Sequence, residues 1–238
     1  MLWASVLAGR PGFLELDEQQ HIYLNPELLL SNPEDIFWQN IRTSPGIGLL
    51  FIELLTRRRF RINGKINFDG ARWRIEIDQA YPNCPKYIQR RKLIDETGIT
   101  SVSTHDMRTW INKADTIFVA SADNQNNLDV SHRGGETGFV QYIDGQTLRI
   151  PDYAGNSMFN TLGNFHINTA AGILLMDFTN GETLQLSGQA ILHINDEAAD
   201  EFTGGTNRFW DFKIQQSLFS RSLFDFSFRF IDFSPFNP

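Results

Sequence analysis

The residues best suited to chemistry lie in one basic stretch. Between Arg57 and Lys92, eleven Lys/Arg stand against three Asp/Glu, a local charge of +8 in a chain whose net charge is −7. The remainder of the chain therefore carries −15. A general nucleic-acid binder spreads its basic surface more widely. One concentrated basic segment suits a protein that holds one small anion; a solvated basic face is the alternative. Arg57, Arg58, Arg59 and Arg61 crowd onto one predicted strand. A barrel interior cannot hold four uncompensated charges, so they must alternate between solvent and a site. Further on, Pro85 suits the first turn of a helix. Lys86 and Arg90, four residues apart, would then share one face, directed at an anion or at solvent.

Composition removes several other chemistries. The single cysteine, Cys84, rules out an intrachain disulfide framework and fits a reducing, cytoplasmic setting. No histidine adjoins it, so a packed thiol is expected rather than a nucleophile. The five histidines lie far apart and form no local zinc signature. With 41% apolar, 13% aromatic and 21% charged residues, the chain can bury a core and is not disordered. No run reaches the roughly 18 apolar residues of a membrane span. Residues 1–10 lack the basic start and small-residue cleavage site of a secretory signal.

The elements that must position these residues repeat. Gly12-Phe13 and Gly138-Phe139 sit 126 residues apart, as do Ser5 and Ser131. The apolar runs beginning at Gly48 and Gly172, and the Asn-Gly and Ser-Gly pairs at Gly64 and Gly188, sit 124 apart. An offset that slips by only two residues implies duplication. Alternating Val/Ile patterns with Gly, Asp and Asn turns predict mostly strands. Asp144-Gly145 predicts a hairpin between 139–142 and 147–150. Helices are predicted at Pro33–Ile41 and Asn156–Ile167, with Asn as cap. A strand over Phe224–Phe230 should present an all-Phe inner face.

The predicted domains are a first half at 1–94, a partly helical connector at 95–115, and a second half at 116–238. The second half opens with a strand, Thr116–Ala122, before its Ser131. The first half has only four residues before Ser5, so its opening strand is missing, as if Met1 were an internal start or the ancestor had been trimmed.

In order along the second half stand Asp129-Val-Ser-His-Arg-Gly-Gly, Gly138-Phe, Ile150-Pro-Asp, Gly155-Asn-Ser and Leu186-Ser-Gly. This series resembles the pyridoxamine 5′-phosphate oxidase-like family of FMN-binding split barrels. Trp3-Ala-Ser-Val, Thr56–Gly64 and Asn83–Arg90 resemble a tandem bacterial subgroup of that family. The resemblance covers nearly the whole chain. It implies a mainly β protein with short helices, two fused Greek-key split-barrel halves forming an intrachain pseudo-dimer, and FMN in the groove between them. Such a chain would be a monomer with an internal pseudo-dimer, or a homodimer. It implies an oxidoreductase acting with a small-molecule substrate or electron donor such as NAD(P)H. A non-catalytic flavin or haem binding module is the alternative.

A flavin phosphate needs fixed cations, hydroxyls and free backbone N–H groups. Ser131, His132 and Arg133 end a predicted strand, and Gly134-Gly135 would let backbone approach closely. Asn156 and Ser157 stand where the second helix should begin, in the place of the family's phosphate-holding turn. Met158 stands where a basic residue is common, which shifts the charge requirement onto Arg133 or the first half. There Arg57, Arg58, Arg59, Lys86 and Arg90 are the candidates. Arg208, after Gly204-Gly205, resembles a substrate-side arginine. The family's Arg-x-His substrate spacing is replaced by Arg208-Phe-Trp210, which argues against pyridoxamine phosphate oxidase activity itself. No general acid or base and no metal ligand is identifiable.

Overall fold

The computed structural model describes residues 1–19, 21–94, 106–155, 158–221 and 226–238. The first half begins with short strands β1 (Ala8–Gly9), β2 (Leu14–Leu16), β3 (Ile22–Leu24) and β4 (Leu29–Leu30). Helix α1 (Phe37–Thr43) and the long strands β5 (Gly46–Glu53), β6 (Arg58–Asp69) and β7 (Arg72–Pro82) follow, then β8 (Arg90–Ile94). Helix α2 (Met107–Lys113) leads to β9 (Thr116–Ala122), β10 (Leu128–Gly134), β11 (Gln141–Tyr142) and β12 (Thr147–Pro151). The remainder is α3 (Asn160–Ile167), β13 (Ala170–Met176), β14 (Thr183–Ile194), α4 (Asp200–Thr203), β15 (Arg208–Ser220) and β16 (Ser227–Asp232).

The duplication is visible in the strand orders. The first sheet runs β2-β3-β7-β6-β5; the second runs β11-β12-β15-β14-β13 and continues into β9 and β10. Individual hydrogen bonds coincide at the offsets of the sequence repeat. Phe13 N donates to Arg10 O as Phe139 N donates to Glu136 O, and Ser44 N to Asn40 O as Asn168 N to Asn164 O. Ile66 N donates to Pro45 O and Ala190 N to Thr169 O, both at 2.7 Å. Gly12 and Gly138 share a left-handed φ of +90° and +87°. Both long hairpins carry a bulge at the repeated glycine, between Asn63 and Gly64 and between Ser187 and Gly188. A Cβ at Gly64 would collide with Glu76 O, and one at Gly188 with Lys213 O. Only glycine permits that approach. The chain is thus mainly β and built of two fused copies of one curled-sheet plan.

Each copy folds around its own core. Ile22, Ile41, Ile47, Ile62, Ile66 and Ile75 fill the first. The second is larger, centred on Trp210, Phe212, Ile150, Ile173 and Phe165, and takes in Ile117 and Val119 of β9 and Ile111 of α2. Among the described residues no helix is long and apolar enough to cross a membrane.

Four local expectations are corrected. Helix α1 starts at Phe37 rather than Pro33: Asn32 Oδ1 accepts from Glu34 N and Asp35 Oδ1 from Phe37 N, two successive turns that delay the helix. Residues 83–89 form a turn, not a helix, because Tyr87 adopts a left-handed φ of +66°. Helix α3 begins at Asn160, and Asn156 and Ser157 lie outside the described residues. In β16 the buried side chain is Ser227, while Phe230 is exposed; the all-Phe inner face does not form, and Phe224 lies outside the described residues.

Candidate functional site

The predicted anion residues of the two halves meet in one cleft. Its walls include Arg59 and Arg61 of β6, Ser131, His132 and Arg133 of β10, and Lys86 and Tyr87 of the 83–89 turn. Gly155 and Met158, which flank Asn156 and Ser157, also line it. Strand alternation explains the selection from β6. Arg59 and Arg61 point to one side, and Arg58 is exposed on the other.

Each cation has a different degree of compensation. Arg61 is buried and donates from Nη1 to the buried Asp129 carboxylate at 2.7 Å, binding β6 to β10 across the two halves. Thr161 Oγ1 lies 3.3 Å from the other oxygen of Asp129 and 3.0 Å from Ser131 Oγ, which ties α3 to the same network. Arg133 donates from Nη1 to Asp152 Oδ1 at 2.6 Å. The other oxygen of Asp152 accepts from Arg208 Nε at 3.0 Å. One buried carboxylate therefore serves both the arginine expected to hold the cofactor and the one expected to meet the substrate. Arg59 has no carboxylate partner among the described residues. Its Nη1 donates to His132 Nδ1 at 3.1 Å and approaches the His132 carbonyl at 3.5 Å. Burial, then Arg61 and Arg133 beside it, pushes the Arg59 guanidinium down to about 10, so it stays charged at neutral pH.

His132 is fixed in a neutral form. Burial, then the charges of Arg59, Arg133 and Arg91, hold the imidazole well below its ordinary range. A guanidinium can only donate, so His132 Nδ1 accepts and the proton resides on Nε2. That Nε2 is buried without a hydrogen-bond partner among the described residues, as are Nε of Arg59, Arg61 and Arg133. Buried donors of this kind are costly unless something accepts from them.

Aromatic side chains complete the lining. Tyr87 and Tyr153 pack at 5.3 Å between ring centroids, and Phe139 lies nearby in the lining. Burial raises both tyrosines, Tyr153 to about 12, so both keep their protons. Tyr87 Oη donates to Ala154 O at 2.8 Å, and Lys86 Nζ to the same carbonyl at 3.3 Å. A Cβ on Gly134 would collide with Tyr87 O. The glycine pair thus admits the 83–89 turn against β10, and Gly135 makes room for Phe139.

Other predicted residues are placed elsewhere. Arg57 and Arg90 both pair with Asp232, and Arg57 Nε also donates to Ile88 O. Neither lines the cleft. Sequence reasoning missed Asp129, Asp152, Thr161, Tyr87 and Tyr153. The carboxylates had no local signal, since their partners lie 19 to 68 residues away. Among the described residues no group of three or more His, Cys, Asp or Glu is placed to hold a metal ion.

The repeat creates a second, equivalent position without this chemistry. Ser5, Val6 and Leu7 stand where Ser131, His132 and Arg133 stand, and Thr183 and Gln185 replace Arg59 and Arg61. Asp35 approaches there instead, accepting from Ser5 Oγ at 2.8 Å and Gln185 Nε2 at 3.0 Å.

No family model matches the sequence, and no curated protein matches it. Among solved structures it is similar to split-barrel proteins of the pyridoxamine 5′-phosphate oxidase-like kind. HupZ of Group A Streptococcus is 14% identical, with a TM-score of 0.40, over 51% of this chain and 96% of HupZ. A protein related to general stress protein 26, of the pyridoxinephosphate oxidase family, from Clostridium acetobutylicum is 10% identical, with a TM-score of 0.38, over 52% of this chain and 90% of its own. HutZ, the heme storage protein from Vibrio cholerae, is 13% identical, with a TM-score of 0.35, over 50% of this chain and 95% of its own.

Proposed function

We propose that the cleft holds FMN by its phosphate and that the chain is an FMN-dependent oxidoreductase acting with a small-molecule partner such as NAD(P)H. The observation that carries this reading is Arg59, a largely buried cation with no carboxylate among the described residues and an unpartnered Nε. A buried charge in that condition calls for an anion. The cations of the cleft outnumber its carboxylates. Arg59 and Lys86 have no carboxylate partner among the described residues, Asp129 balances Arg61, and Arg133 shares the single charge of Asp152 with Arg208. That leaves a surplus of at least two positive charges, enough for a dianion.

The donor set also fits a phosphate. Guanidinium groups bind it with charge-assisted hydrogen bonds, and Ser131 and Thr161 add hydroxyls. His132, neutral with its proton on Nε2, adds a donor without adding charge. Tyr87, Tyr153 and Phe139 offer flat apolar surface to a ring system, and the tyrosine hydroxyls stay protonated. Bound flavin supplies the two-electron chemistry, while the protein positions it and excludes water.

Titration with FMN and with riboflavin tests the reading, followed by NADH and NADPH turnover. FMN is expected to bind at least tenfold more tightly than riboflavin, because only FMN carries the phosphate. Equal affinity for the two, or a Soret band in place of flavin absorbance, overturns it.

A further inference from the structure

We infer that Cys84 is a modification site, which exchanges with small disulfides carrying carboxylates and so fills the arginine cleft with an anionic adduct. The inference rests on the cleft holding an anion and does not require a flavin.

Cys84 is the one cysteine of the sequence and lies half-buried in the lining of the cleft. The chain holds it there from two sides. Asn83 N donates to Arg59 O at 3.3 Å, so the cysteine follows directly on a backbone contact with β6. Further along the turn, Tyr87 O presses on Gly134 of β10, where a Cβ would collide with it. The 83–89 turn therefore bridges the strand of Arg59 and the strand of Arg133. Burial lowers Arg59 most, then Arg61, and a thiolate at Cys84 opposes both, which puts the sulfur within electrostatic reach of that guanidinium.

Two further groups of the cleft call for a ligand. His132 and Arg61 are only 5% and 6% exposed and both line it. His132 Nε2 and Arg61 Nε have no hydrogen-bond partner among the described residues. A disulfide with carboxylates would meet these donors and the surplus positive charge beside the thiol, whereas an uncharged disulfide gains nothing from them. A field of this kind raises the encounter rate of the anionic reagent.

The exchange balances with no further reactant. Cys84 Sγ attacks as the thiolate, its proton going to solvent. A new S–S bond forms as the old one breaks, and the departing half leaves as its own thiolate with the electron pair. The cysteine sulfur is oxidised and the departing sulfur reduced. No second cysteine stands in the sequence to resolve the adduct, so it persists until an external thiol removes it. While it lasts, its carboxylates occupy the cations that a phosphate needs.

The test compares two aromatic disulfides on the full chain. One is 5,5′-dithiobis(2-nitrobenzoate), which carries two carboxylates; the other is 4,4′-dithiodipyridine, uncharged at neutral pH. The ratio of their rate constants should be at least tenfold higher for the folded chain than for the chain unfolded in urea. Saturating inorganic phosphate, at constant ionic strength, should return the ratio to its unfolded value, and Arg59→Leu should lower it severalfold. The chain blocked with nitrobenzoate should bind phosphate at least tenfold more weakly until dithiothreitol frees it. Equal ratios in the folded and unfolded chain, a preference that survives saturating phosphate or Arg59→Leu undiminished, or unchanged phosphate binding by the blocked chain overturns the proposal. The preference in a chain that binds no FMN sinks the cofactor reading alone; FMN binding without the preference sinks this one alone.

Discussion

Gly48 and Gly172 occupy equivalent places in the two repeats, and each packs against the backbone of the other repeat. A Cβ on Gly48 would lie 3.1 Å from Val130 N, and one on Gly172 would lie 3.0 Å from Ala4 N. Val130 and Ala4 are themselves repeat-mates at the 126-residue offset. Reciprocal contacts of this kind mark a twofold interface, here made within one chain. The same interface carries Arg61 to Asp129 and Arg59 to His132. The cleft exists because the two halves meet this way.

Crowding at Gly172 predicts a stability cost. Gly172→Ala would press against backbone atoms of Trp3 and Ala4 that cannot swing aside. Chemical denaturation should show a loss of about 1–3 kcal/mol, as for overpacked sites. Gly163, in α3, has open space where a Cβ would lie and no left-handed φ. Gly163→Ala should therefore stabilise by about 1 kcal/mol through helix propensity. Equal effects at the two positions would refute the close approach.

Arg59→Leu should separate stability from binding. Removing an uncompensated buried charge is expected to raise the melting temperature of the ligand-free protein. Phosphate or FMN affinity should fall at least tenfold, the loss of one charge-assisted contact. A lower melting temperature in the absence of ligand would show that the charge is already paired.

His132 predicts a pH dependence of stability. Its folded pKa is lowered from 6.5, so below that pH the unfolded chain binds a proton that the folded chain refuses. Its contribution is complete above about 6.5 and is lost as pH falls toward the folded value. His132→Gln should flatten the fall in melting temperature between about pH 7 and pH 5. A bound dianion favours the imidazolium, so phosphate should also reduce that fall in the wild-type protein. An unchanged slope in the variant contradicts a buried neutral imidazole.

Asp152 limits the charge available to a ligand. Asp152→Asn keeps the shape of the side chain but leaves Arg133 and Arg208 without a shared carboxylate. Phosphate should bind several-fold more tightly, and the ligand-free protein should lose about 3 kcal/mol. Weaker phosphate binding by a folded variant would mean that Asp152 orients Arg133 more than it neutralises it.

Much of the scaffold was legible in the sequence for local reasons. The strand at Thr116–Ala122 and the Asp144-Gly145 hairpin are set by neighbours within a few residues, whereas Gly64 and Gly188 stood out only as repeat markers, because their bulges answer to Glu76 and Lys213 on the facing strands. Ser131, His132 and Arg133 could be placed at a strand end by the same logic. What was not legible depends on distant partners. Arg57 and Arg90 looked like free cations until Asp232, 142 or more residues away, claimed both. The 83–89 segment resembled a helix start, but Tyr87 N donates to Ser234 Oγ, and Gln89 is tied to Gly135 and Ser234. These contacts to the C-terminal segment hold Tyr87 in its left-handed turn.

Only one of the two pseudo-equivalent clefts is proposed to hold the anion, because Arg59, His132 and Arg133 are replaced by Thr183, Val6 and Leu7 in the other. The most direct measurement is the ratio of FMN to protein chains at saturation, by flavin absorbance and quantitative amino-acid analysis. One FMN per chain is expected, with a loss of that binding in Arg59→Leu. A ratio near two, or a ratio of one that survives Arg59→Leu with unchanged affinity, contradicts the proposed asymmetry.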